Sequence, residues 1–169
     1  MKFRELTEKD IEVRVQSVKS NGLVLLLYKN ARVDMNILDE TVGPANWQRE
    51  HYECKGNLFC RVGIRPCLKD NETIAEWIWK SDCGTESNTE AQKGEASDSF
   101  KRACFNWGIG RELYTSPFIW IPADKCNITN GKCYDRFSVE KIIIEDKQIK
   151  ALAIRNDTQN VRAFVWQEK

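Results

Sequence analysis

At 169 residues the chain has room for one domain around one hydrophobic core, and its 41% hydrophobic and 30% charged content is that of an ordinary globular protein. The first ten residues, MKFRELTEKD, are too charged for a secretory signal, and the longest apolar run, Leu23 to Leu27, is too short to span a bilayer, so a cytoplasmic protein with no membrane contact is expected. A net charge of +1 excludes a broadly basic nucleic-acid binder, so any claim on DNA must rest on where individual cations sit.

Ile11 to Val18 alternates apolar and polar residues, the period of a half-buried strand. Ser20-Asn21-Gly22 supplies an Asn-Gly turn, and Leu23 to Tyr28 is the returning strand. From Asn30 to Thr41 the period becomes helical, with Val33, Ile37 and Leu38 on one side, Asn30 as cap and Gly43-Pro44 as stop. Three strands are predicted next, Trp47 to Cys54, Leu58 to Cys67 and Thr73 to Lys80, joined by the turn clusters Lys55-Gly56-Asn57 and Lys69-Asp70-Asn71. After a polar connection, Thr89-Glu90-Ala91-Gln92 reads as a capping box. The helix it opens runs to about Trp107, with Ala96, Phe100, Ala103 and Trp107 as its apolar stripe. Pro117 to Cys133 reads as irregular, and Phe137 to Ile144, Ile149 to Ile154 and Val161 to Trp166 read as strands. The fold class is therefore α+β: an antiparallel sheet in the order β-β-α-β-β-β-α with helices packed on it and a C-terminal β extension. It is taken as a single domain over 1–169, with a core at 11–110, an irregular connection at 111–136 and the extension at 137–169.

Enzyme signatures are sparse. There is no GxxxxGK[ST] phosphate loop, and His51, the single histidine, sits in a predicted strand where a surface role is expected. Seven cysteines without a CxxC pair read as reduced core or surface thiols rather than as a zinc site, so neither metal nor cofactor is expected. Asp135 with Glu145-Asp146-Lys147 resembles the D…ExK layout of metal-dependent nucleases, in which two carboxylates hold the ion and the lysine assists the attacking water. The plainer reading is a polar hairpin tip, and the nuclease stands as an alternative only.

Two basic clusters are more informative. The predicted meander carries Lys55, Arg61, Arg65 and Lys69, and the second helix with its exit carries Lys93, Lys101, Arg102 and Arg111. Lys93, Ser97, Lys101 and Cys104 lie along one edge of that helix, beside the apolar stripe, where cations could track phosphates. Glu90, Glu95 and Asp98 dilute the row, so a solvated helix face is the competing reading. Trp77 and Trp79 share a strand face, for which core packing is expected and base stacking is the alternative.

Glu90 to Gly108 (EAQKGEASDSFKRACFNWG) resembles the signature helix of the Rad52-type single-strand annealing proteins, approximately EA-x-K-x-EA-[ST]-D-x-[LF]-KRA-x-x-x-[FW]-G. Ala31 to Trp47 is similar to that family's first long helix and the entry to its meander, and the element order from Ile11 to Gly110 agrees. Phage and prophage recombination proteins include small members of this type, and the chain resembles them. The resemblance implies a homo-oligomeric ring that binds single-stranded DNA in an outer groove, backbone inward, and pairs it with its complement without ATP. It implies a DNA contact for Lys101 and, less directly, for Arg102, with Lys29 and Arg32 near a second groove cation. A single-strand-binding protein is a further expected partner. Phe105 stands where relatives carry another arginine, and with the near-neutral charge this motivates one more alternative, a protein-interaction module on the same fold.

Overall fold

The computed structural model describes residues 1–65, 76–85 and 91–168, with side chains from 94 onward in the last stretch. The chain forms two units interleaved in sequence: Met1–Arg4 with Asn30–Gly110, and Glu5–Lys29 with Arg111–Lys169. Both are built of antiparallel sheet, and the first also holds two α-helices, so the fold is α+β as the sequence implies.

The second unit is a six-stranded sheet in the order β11-β10-β9-β1-β2-β6. Its strands are β1 (Glu12–Lys19), β2 (Gly22–Tyr28), β6 (Ile119–Pro122), β9 (Phe137–Glu145), β10 (Gln148–Asn156) and β11 (Val161–Gln167). A two-residue hairpin, β7 (Ile128–Thr129) and β8 (Lys132–Cys133), stands apart from it. Three findings differ from the sequence reading. Residues 117–133 are not all irregular, because β6 pairs with β2 from Leu23↔Ile121 to Leu25↔Ile119. The turn after β1 is Ser20-Asn21, with Lys19 opposite Gly22. Gly22 is needed for space rather than for turning: a Cβ there would lie 2.4 Å from the Ile121 carbonyl oxygen and 2.5 Å from the Trp120 ring. Lastly, the C-terminal strands complete this sheet through β9 and β1, so the first hairpin shares a sheet with them and not with the meander.

In the first unit, α1 (Ala31–Val42) begins where the Asn30 side chain accepts hydrogen bonds from the Arg32 and Val33 N–H groups, at 2.9 and 3.3 Å. It ends at Gly43, whose φ of 83° suits glycine and whose N–H donates to the Asp39 carbonyl. Val33, Ile37 and Leu38 are buried, as the helical spacing predicts. The meander follows as β3 (Trp47–Cys54), β4 (Asn57–Ile64) and β5 (Ile78–Cys83). The strand expected from Thr73 begins among residues outside those described, and β5 runs on to Cys83, opposite Phe59. The second turn cluster, at 69–71, lies outside the described residues too.

Helix α2 (Ala91–Asn106) crosses one face of this sheet. Strand alternation turns Cys60, Val62 and Ile64 of β4 into the core, where Phe100, Ala103 and Cys104 of α2 are also fully buried. The capping box falls partly outside the described residues, so the other end of α2 shows how it is held. Lys80 donates to the Asn106 carbonyl at 2.9 Å, a cation on a helix C-terminus, and the Trp107 indole N–H donates to the Val62 carbonyl at 3.0 Å. At the exit of β5, Gly84 packs so closely on α2 that a Cβ would lie 2.3 Å from the Glu95 carbonyl oxygen.

Candidate nucleic-acid interface

The sheet–helix sandwich of the first unit leaves a cleft of about 490 Å³ lined by Asn30, Ala31, Arg32, Met35, Arg49, His51, Ala96 and Ser97. Its wall is set by alternation in β3, where Trp47, Arg49 and His51 share the face turned to α2. Trp47 stacks on Phe100 with centroids 6.1 Å apart and donates its indole N–H to Asp39 at 2.6 Å. The Arg49 guanidinium lies 4.7 Å from the same Phe100 ring, and His51 Nε2 donates to the Ala96 carbonyl at 3.1 Å. Arg32 reaches the cleft from the first turn of α1. The small side chains of Ala31, Ala96 and Ser97 leave the space open.

The electrostatics of the cleft are one-sided. Arg32 and Arg49 are exposed, and neither forms an ion pair among the described residues. The amide-rich end of α1 adds partial positive charge. Two guanidiniums with no ion pair among the described residues and a serine hydroxyl can donate to phosphate oxygens, while the His51 Nε2–H is already taken by the Ala96 carbonyl. Lys101 follows Ser97 by one turn of α2 and is half-buried, which extends the basic edge along the helix.

The other cations of the sequence reading are dispersed. Arg102 turns to β5, where its Nε is 3.5 Å from Asp82 Oδ1. Arg61 is held by Glu50 through two hydrogen bonds of 3.0 and 2.6 Å and lies over Trp79, while Arg65 lies over Trp77. Both are on the face of the sheet turned away from α2. Arg111 is an exposed residue of the second unit, opening a short 3-10 turn. Lys29 is only 2% exposed, which removes it from the cations a strand could touch on this surface. The side chain of Lys93 lies outside those described. Arg49 and His51 were missed as site residues, although the alternation of Trp47, Arg49 and His51 was the signal that could have placed them on one face.

Asp135, Glu145 and Lys147 do not converge on a metal site. Asp135 accepts from the Asn127 backbone N–H at 2.8 Å, from the Asn127 side-chain amide at 3.1 Å and from the Asn156 amide at 2.8 Å. Burial alone would raise its pKa, and these bonds outweigh that and hold it below the usual carboxylate range. Lys147 faces the fully buried Glu112 at 3.7 Å. No group of three or more metal-ligating side chains occurs among the described residues. Burial pushes the thiols of Cys60 and Cys126 up to about 11, which leaves both protonated at neutral pH.

Residues 3–130 match the model of a family described as Rad52/22 family double-strand break repair protein. No curated protein and no solved structure matches the chain.

Proposed function

The chain belongs to the Rad52/22 family of double-strand break repair proteins, and from its role in DNA repair and recombination we propose a specific activity: it binds single-stranded DNA and anneals complementary strands without ATP or metal. The observation that carries this reading is the cleft holding Arg32 and Arg49, with His51 and Ser97 on its wall and Lys101 one turn along α2. Annealing breaks no bond. It needs phosphates neutralised so that two strands can approach, and base edges left free to pair. A cleft that offers guanidiniums and a hydroxyl meets the first need by gripping the backbone, and bases held outside it meet the second.

The net charge of +1 limits what one copy can do. Non-specific affinity for single strands comes mainly from released counterions, and a few cations release few. Several copies aligned along one strand multiply those contacts at high effective concentration, so the active form is proposed to be a homo-oligomer.

The test is pairing of fluorescently labelled complementary strands in EDTA. The protein is expected to accelerate pairing, and the Arg32→Ala/Arg49→Ala variant, still folded at the assay temperature, to slow it at least tenfold. Acceleration that required magnesium and shortened the DNA would overturn the reading.

A further inference from the structure

The face of the β3-β4-β5 sheet opposite α2 has its own chemistry. Register places Tyr52 beside Phe59, Glu50 beside Arg61, and Trp79 beside Gly63. Tyr52 and Phe59 stack with centroids 5.5 Å apart, and Trp77 and Trp79 sit 6.1 Å apart along one strand. Arg61 lies 4.5 Å from the Trp79 ring and Arg65 lies 5.3 Å from the Trp77 ring. Both indoles are half-buried rather than enclosed, and no described element of this unit packs over them. Gly63 makes the platform possible: the Trp79 ring lies flat on the strand, 2.9 Å from where a Cβ would stand.

We propose that this face is a second single-strand surface, which stacks unpaired nucleobases on Trp77, Trp79 and the guanidiniums over them. Indole and guanidinium planes both accept a base face, and an open sheet carrying them is a recurring way to hold unpaired bases without reading sequence. Charge selects this occupant over an apolar one. Arg61 is offset by Glu50, but Arg65 forms no ion pair among the described residues, so the face carries a cation beside its largest rings. The surface also differs in kind from the cleft. The cleft holds phosphates on the helix side of the sheet, and this face holds bases on the other, where stacking competes with the hairpins that slow annealing. The inference rests on the proposed single-strand activity but concerns different residues.

Two probes separate base from backbone: a fluorescein-labelled oligothymidylate and an abasic strand of equal length. The full-length protein is expected to prefer the oligothymidylate by roughly tenfold or more, within the range that one or two stacked bases supply. Trp77→Leu/Trp79→Leu should abolish that preference and leave abasic binding unchanged. Trp77→Phe/Trp79→Phe should retain most of it, and Arg65→Gln, which removes the cation over Trp77, should weaken it. Equal binding of the two probes by the unchanged protein overturns the proposal. So does a preference that survives the leucine variant, and if that variant instead alters the native mass, the face is a contact between copies. In each case loss of binding in Arg32→Ala/Arg49→Ala would still stand for the cleft, so the two readings fail separately.

Discussion

Arg49 is a residue whose role changes with the partner it is given. Against Phe100 it is a packing residue, its guanidinium lying over the ring, yet its charge is offset by no carboxylate among the described residues. A strand phosphate would complete it. Each such contact on single-stranded DNA steepens the log–log salt dependence of binding by about 0.7, so Arg49→Ala should lower the measured slope by that amount while Arg49→Lys restores it. Equal slopes for all three proteins would remove Arg49 from the interface. Asp135 has a structural role of the opposite kind, and its pH dependence follows from sign alone. Its folded pKa is depressed, so the stability it adds is present above the unfolded carboxylate value and lost as pH falls through the folded one. Urea unfolding from neutral pH downward should show that acid-side loss, and Asp135→Asn should flatten it. The first cation was hidden in the sequence because a lone arginine in a strand of charged residues has no composition signal. Lys101 is singled out in the sequence because it sits in a motif, and the structure places it one turn from Ser97. Lys29 stands just before a helix start, and that position in the sequence says nothing of the burial the structure gives it.

At the scale of elements, α2 is the part on which the cleft depends, and Gly84 decides how closely it sits. A Cβ at that position would stand 2.3 Å from the Glu95 carbonyl oxygen and 2.9 Å from the Ser99 amide, both backbone groups of a helix that cannot yield locally. Gly84→Ala should therefore lift α2 from β5, cost about 2–3 kcal/mol in chemical denaturation, and weaken single-strand binding even though Gly84 touches no DNA. An alanine variant of unchanged stability would show that the contact is softer than the geometry says. Most elements were legible in the sequence for clear reasons. Helix α1 had a cap, a stripe and a stop, and the outer strands of the C-terminal region had long alternation between turn residues. Strand β6 was not legible because four residues, Ile119–Pro122, carry too short an alternation to stand out, and their partner β2 lies about a hundred positions earlier. Sheet membership was not legible either, since β1 and β2 precede the meander in the chain but pair with strands that come after it.

At the scale of the whole molecule, 26 basic residues stand against 25 acidic ones, and many of the basic ones are spent on ion pairs such as Arg61–Glu50, Arg102–Asp82 and Arg162–Glu140. A nearly neutral protein cannot hold single strands through a diffuse field, so the proposed single-strand affinity requires local contacts repeated along the DNA. That requirement separates two behaviours by the length of the strand. If single copies bind independently, affinity per oligonucleotide rises only in proportion to the number of overlapping sites. If aligned copies share one strand, each added contact multiplies the others, and affinity rises steeply until the strand spans the assembly and then levels. Binding isotherms for a series of oligothymidylates at fixed salt are expected to show the steep rise and the plateau, with native mass giving the number of copies at the bend. A proportional rise with a monomer mass would leave the Arg32–Arg49 cleft as a weak site on a single chain, too weak to support annealing at physiological salt.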